Sequence, residues 1–174
     1  MNTILIANIF AFVGAMMMVG IGLLKKKKQI LLVQCVQFII MGVANMLLGG
    51  MTGFISNLAS IARNLFCLKW EYTMPWKFVF IIMQIVLSAG VNNLGLLGWF
   101  PVISAVIFTW FLDLKNEVHL KIVIITAQLL WIIYDFTLMN YVTFVFGILT
   151  VCSNLLGILM ILRDRKAEAE KEIL

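Results

Sequence analysis

The chain reads as seven apolar runs separated by short polar or charged connections: residues 3–24, 29–48, 52–68, 78–91, 97–112, 121–138 and 141–162. A helix needs roughly 20 apolar residues to cross a bilayer. Unbroken runs of this order, without the alternation of a membrane strand, predict helices rather than a barrel. The fourth run is the shortest. Because the connections are short, each run is expected to pack against its neighbours in sequence. Seven spans consume nearly the whole chain and leave no room for a soluble domain.

Polar residues inside these runs carry the candidate chemistry. In the sixth, Gln128, Trp131 and Asp135 recur at i, i+3 and i+7 and so share one helix face. A carboxylate at a bilayer centre costs at least about 2.5 kcal/mol and less toward an interface, so Asp135 should face protein or water. Lying about 5 Å from the end of its run, it is expected near a mouth of the protein. Such a stripe either lines a cavity or hydrogen-bonds a neighbouring span.

A shift of 90 residues superimposes runs one to three on runs five to seven. Asn64 then falls on Asn154, Asn45 on Asp135, Ser60 on Thr150, Met41 on Trp131, Gly14 on Ser104 and Lys25 on Lys115. An odd span between two three-span units restores their orientation, so the repeats should be parallel, with a site near the midplane between them. Gln34, Gln37, Met41 and Asn45 share a face of span two. Asn57, Ser60 and Asn64 share one in span three, and Gly147, Thr150, Asn154 and Gly157 share one in span seven. The expected fold is an all-α integral membrane protein of seven transmembrane helices in a 3+1+3 arrangement. Its parts are a first repeat (1–70), a linker helix (71–94), a second repeat (95–163) and a charged tail (164–174). Arg63, about 100° around the helix from Asn64, is expected off the pocket face. It would snorkel to an interface or meet Asp113, with binding of an anionic group as the third option.

Charge sets the orientation. Lys25, Lys26, Lys27 and Lys28 follow the first run, which has no basic residues before it and so does not resemble a cleaved signal peptide. With seven spans, one side holds this cluster with Lys69, Lys77, Lys115, Lys121 and the tail from Arg163. The connections 49–51, 92–96 and 139–140 on the other side hold no Lys or Arg. The positive-inside rule puts the N-terminus outside and the C-terminus in the cytoplasm. His119 and Pro75 are assigned to cytoplasmic connections.

Composition closes off other classes. With 63% hydrophobic and 12% charged residues, no soluble domain of this size could hide its apolar surface. The net charge of +5 comes from lysines between spans and is not a nucleic-acid signal. Cys35, Cys67 and Cys152 lie in or at the ends of apolar runs without metal-site spacing and read as packing residues. One His and no carboxylate pair assemble no usual catalytic constellation, so neither an enzyme nor a cofactor is expected.

The run Pro101-Val-Ile-Ser104 with Thr109-Trp110, the stretch from Trp131 to Phe136, the spacing of Ser56 and Arg63, and Asn154 resemble the YgjV-type bacterial inner-membrane protein family. That family is distantly similar in arrangement to SWEET and PQ-loop proteins. The resemblance implies facilitated movement of a small polar solute, with Asn64 and Asn154 matching a substrate-contacting Asn pair and Trp131 an aromatic contact that Met41 replaces in the first unit. The hinge prolines of those families are missing, since Pro101 is the only proline inside a span. The functional expectation is an inner-membrane facilitator working by alternating access. Asn64, Asn154, Trp131, Asp135, Asn45, Asn57 and Thr150 would line its route. The alternative is a non-transporting structural or assembly protein. Expected partners are membrane lipid and an unidentified small polar solute, with homo-oligomerisation left open and no nucleic acid.

Overall fold

A computed structural model describes residues 2–113 and 116–173, except the side chains of Asn2 and of 169–173. Lys115 therefore lies outside the described residues. Among the described residues seven helices follow in order: α1 Asn2–Leu23, α2 Lys27–Leu47, α3 Met51–Lys69, α4 Met74–Val91, α5 Trp99–Phe111, α6 Glu117–Thr137 and α7 Tyr141–Ile173. The described residues contain no strand.

Five of these helices, α1, α2, α4, α6 and α7, are long and apolar enough to cross a membrane. α3 has 19 residues, but Thr52, Ser56, Asn57, Ser60, Arg63 and Asn64 dilute its apolar character. α5 has only 13 residues, about 20 Å at 1.5 Å per residue. The shortest helix is thus α5, not α4. Asn92 explains the late start of α5: its side chain accepts from Leu94 N and donates to the Gly95 carbonyl, closing a turn in which Gly95 takes φ +57°. Such a turn delays the helix although 94–98 is mostly apolar. α4 in turn begins earlier than its apolar run. Pro75 lies in its first turn rather than in a connection, where a missing N–H costs nothing and the fixed φ favours the helix.

The outside is apolar and the inside polar. Leu5, Val86 and Leu159 are about two-thirds exposed, whereas Gln34, Asn45, Asn57, Asn64, Asp135 and Asn154 are buried. In water this would be inverted; in a bilayer lipid covers the apolar shell and the polar groups must find partners within. α1 packs mainly against α2 and α7, α2 against α3, α6 against α5 and α7, and α4 against α3 and α5. A buried apolar cluster of Ile21, Ile30, Leu31, Phe108, Leu112, Leu120 and Ile124 lies toward the helix ends that flank the lysines after α1.

The two ends differ. At one, Lys25 pairs with Asp164 (2.5 Å), Lys77 with Asp113 (2.7 Å) and Arg165 with Glu117 (3.2 Å). Lys27 donates to the Leu112 carbonyl there. Asp113 therefore meets Lys77 and not Arg63. At the other end the α2–α3 and α6–α7 turns share three backbone hydrogen bonds at an offset of 90. Leu48, Gly49 and Gly50 donate to the carbonyls of Ala44, Met46 and Asn45; Leu138, Met139 and Asn140 donate to those of Tyr134, Phe136 and Asp135. Gly49 and Met139 both take the left-handed conformation, at φ +79° and +54°. For Met139 this is a strained choice that glycine would make freely.

Candidate functional site

A cavity of about 80 Å³ lies within the bundle, lined by side chains of α1, α2, α3, α5, α6 and α7. Its polar lining comes from Gln34 and Gln37 on α2, Asn57, Ser60 and Arg63 on α3, Ser104 on α5, Gln128 and Asp135 on α6, and Thr150 on α7. Met41, Phe108 and Trp131 supply apolar walls. One water needs on the order of 10–15 Å³ by this kind of measure, so the space suits a few waters or a small solute.

Four of the seven residues expected to line a route are in the lining: Asn57, Trp131, Asp135 and Thr150. Asn45, Asn64 and Asn154 are buried but are not among the lining residues. Asn64 is a brace. Its Nδ2 donates to Gln34 Oε1 (3.1 Å), and its Oδ1 accepts from Arg63 Nε (3.2 Å) and Nη2 (3.0 Å). Asn154 donates to the Thr150 carbonyl one turn back (2.9 Å) and sits where α7 meets Gly22 of α1. Asn45 packs against Gly53 at the α2–α3 turn, close to Tyr134, with neither amide atom hydrogen-bonded. The Tyr134 hydroxyl lies 3.3 Å from Thr52 Oγ1 and accepts from Gly53 N at 3.3 Å.

Arg63 was expected off the pocket face and is in the lining. A helix-face argument follows the Cα–Cβ direction, but a guanidinium on a long side chain can turn along the helix surface. Here it turns to its own neighbour Asn64 and across to α5, donating from Nη1 to Thr109 Oγ1 (2.9 Å) and the Ala105 carbonyl (3.4 Å). Its flat face lies over Phe108, 4.7 Å from the ring centroid. The usable signal was the residue itself: a cation mid-run between Ser60 and Asn64. Asp135 is 2% exposed, so it stands at no open mouth.

Three buried polar atoms of lining residues have no hydrogen-bond partner: Asn57 Nδ2, Gln128 Nε2 and Asp135 Oδ1. Gln128 is held against α7 at Gly147, where a Cβ would come within 3.0 Å of its Nε2. Buried polar groups are nearly always bonded to protein or to ordered water. Unpartnered amide atoms also occur away from the cavity, at Asn45, Asn140 and Asn154. Among the described residues no group of three or more His, Cys, Asp or Glu is placed to hold a metal ion.

Several membrane-length apolar helices around a polar interior define a multi-pass membrane protein. Over residues 5–165 the chain matches the family described as Imp-YgjV, bacterial inner membrane protein, and it belongs to that family. No curated protein and no solved structure is significantly similar to it.

Proposed function

We propose that the protein is an inner-membrane facilitator that passes a small polar solute through the central cavity. All seven helices would span, in two parallel three-helix units, α1–α3 and α5–α7, with α4 as the linker between them. The three backbone hydrogen bonds that the α2–α3 and α6–α7 turns share at an offset of 90 support the repeat. So do the bounds of α2 and α6, which differ by 90 residues at both ends. α3 and α5 are poorer spans by length or polarity, but the buried polar face of α3 turns inward while Leu58 and Leu65 face outward. Rocking one unit against the other would open the cavity to each side in turn. No covalent step is assigned to any residue.

The observation that carries the proposal is a cavity inside the bundle whose polar lining includes the buried cation Arg63 together with Asn57, Gln128 and Asp135, each of which has an unpartnered polar atom. The test is solvent access. In a chain with Cys35, Cys67 and Cys152 replaced by Ser, Asn57→Cys and Gln128→Cys should react with a water-soluble thiol reagent in intact membranes. Val86→Cys, on the lipid-facing shell, should not. If neither cavity position reacts, the centre is dry and the protein is better described as a structural element of the membrane.

A further inference from the structure

We propose that the cavity binds a small solute carrying a single carboxylate, with Arg63 as its counter-ion. This rests on the solute-passing function above and names the class of solute. Arg63 is 2% exposed, and the described residues give it no ion pair. All its hydrogen-bond acceptors are neutral: Asn64 Oδ1, Thr109 Oγ1 and the Ala105 carbonyl. A guanidinium has five N–H donors. These four bonds leave one N–H of Nη2 without a protein acceptor. A buried cation with no opposite charge is among the costliest groups to keep. Its place in the lining of a cavity points to an anion that arrives from outside.

Asn57 Nδ2 and Gln128 Nε2 are the independent second observation. Both residues are more than nine-tenths buried, both line the cavity, and neither of these donors has a partner. Depth can be counted at 1.5 Å per residue from the end holding the α2–α3 and α6–α7 turns. The backbone of Asn57 then lies about 9 Å in, that of Gln128 about 14 Å and that of Arg63 about 18 Å. The one carboxyl of the lining, Asp135, lies about 3 Å in by the same count, roughly 15 Å from Arg63 and far beyond ion-pair reach. A carboxylate suits the site because a charged oxygen acceptor can take the remaining Nη2 N–H of Arg63 and its second oxygen can accept from a further donor. One lining cation matches one negative charge, and a dianion would leave a buried charge uncompensated. A cavity of about 80 Å³ restricts the solute to a few heavy atoms.

The experiment melts the full-length protein in detergent with sodium acetate, with acetamide as the neutral isostere, or with sodium chloride at the same ionic strength. A ligand that binds only the folded form raises the melting temperature. Acetate should raise it, and acetamide and chloride should not. Arg63→Gln should abolish the acetate response and Arg63→Lys should restore part of it. Should Arg63→Gln fail to fold, Asn57→Ala serves: it should still melt cooperatively, losing less than Asn64→Ala does, and show a reduced acetate response. Acetate acting no better than chloride overturns the proposal, as does an acetate response unchanged in both Arg63→Gln and Asn57→Ala. Stabilisation by acetamide without acetate overturns the anion assignment while leaving a polar-solute facilitator standing. Silence from all three together with unlabelled cavity cysteines removes both.

Discussion

Asn57 and Asn64 lie two helical turns apart on α3, and the structure gives Asn64 amide partners that Asn57 Nδ2 lacks. Asn64 satisfies two N–H groups of Arg63 and one acceptor of Gln34, all buried. Asn64→Ala should therefore destabilise the protein by about 1–3 kcal/mol, the usual cost of orphaning buried hydrogen-bonding groups. Asn57→Ala removes an Nδ2 that has no protein partner, so its loss of melting temperature should be clearly smaller while solute passage falls. Thermal melting in detergent beside a vesicle uptake assay separates them. Equal destabilisation would show that Asn57 braces the fold and does not face the solute. The sequence could place both residues on one face because helical spacing fixes direction. It could not say which was free, because that depends on Gln34 reaching from α2 and Arg63 folding back along α3. For the same reason Arg63 was misplaced: angular position describes a Cβ well and the tip of an arginine poorly.

At the scale of elements, the helix bounds were largely legible because lipid imposes long apolar runs with little ambiguity. The misses have local causes, an Asn92 side chain that closes a turn ahead of α5 and a proline that starts α4 instead of preceding it. Nothing in the periodicity revealed how closely α1 and α7 approach. A Cβ on Gly157 would collide with the Gly22 carbonyl and come 2.7 Å from Lys121 Nζ, which itself donates to that carbonyl at 2.5 Å. Small residues at such a crossing let two backbones meet, the usual basis of helix association in a membrane. Gly157→Ala should therefore cost about 1–3 kcal/mol through overpacking. Gly20→Ala, with open space around its Cβ position, should be neutral or slightly stabilising. Comparing the two melting temperatures checks this. A neutral Gly157→Ala would mean that the two helices have room to part.

For the whole molecule, charge and covalent order have to agree on one orientation. Lys25, Lys77, Asp113, Glu117, Asp164 and Arg165 come from segments far apart in sequence, yet ion pairs join them at one end. The other end carries the two left-handed turns, and there Asn93 donates to the Gly49 carbonyl (3.1 Å), joining the α4–α5 connection to the α2–α3 turn. No lysine or arginine falls in the connections of that second end. By the positive-inside rule we propose that the first end, with its excess of cations, faces the cytoplasm. A fluorescent protein fused after Leu174 should therefore fluoresce. Alkaline phosphatase, active only outside the cytoplasm, should be active when fused within the α6–α7 turn at Met139 and inactive when fused after Lys25. Activity after Lys25 with none at Met139 would invert the molecule, and the cavity would then present Asp135 toward the cytoplasm and Arg63 toward the outside. Activity at neither position would break the alternation of ends. That result would mean that α3 or α5, the two helices below the length or apolarity of an ordinary span, does not cross, and the parallel arrangement of the two units would fall with it.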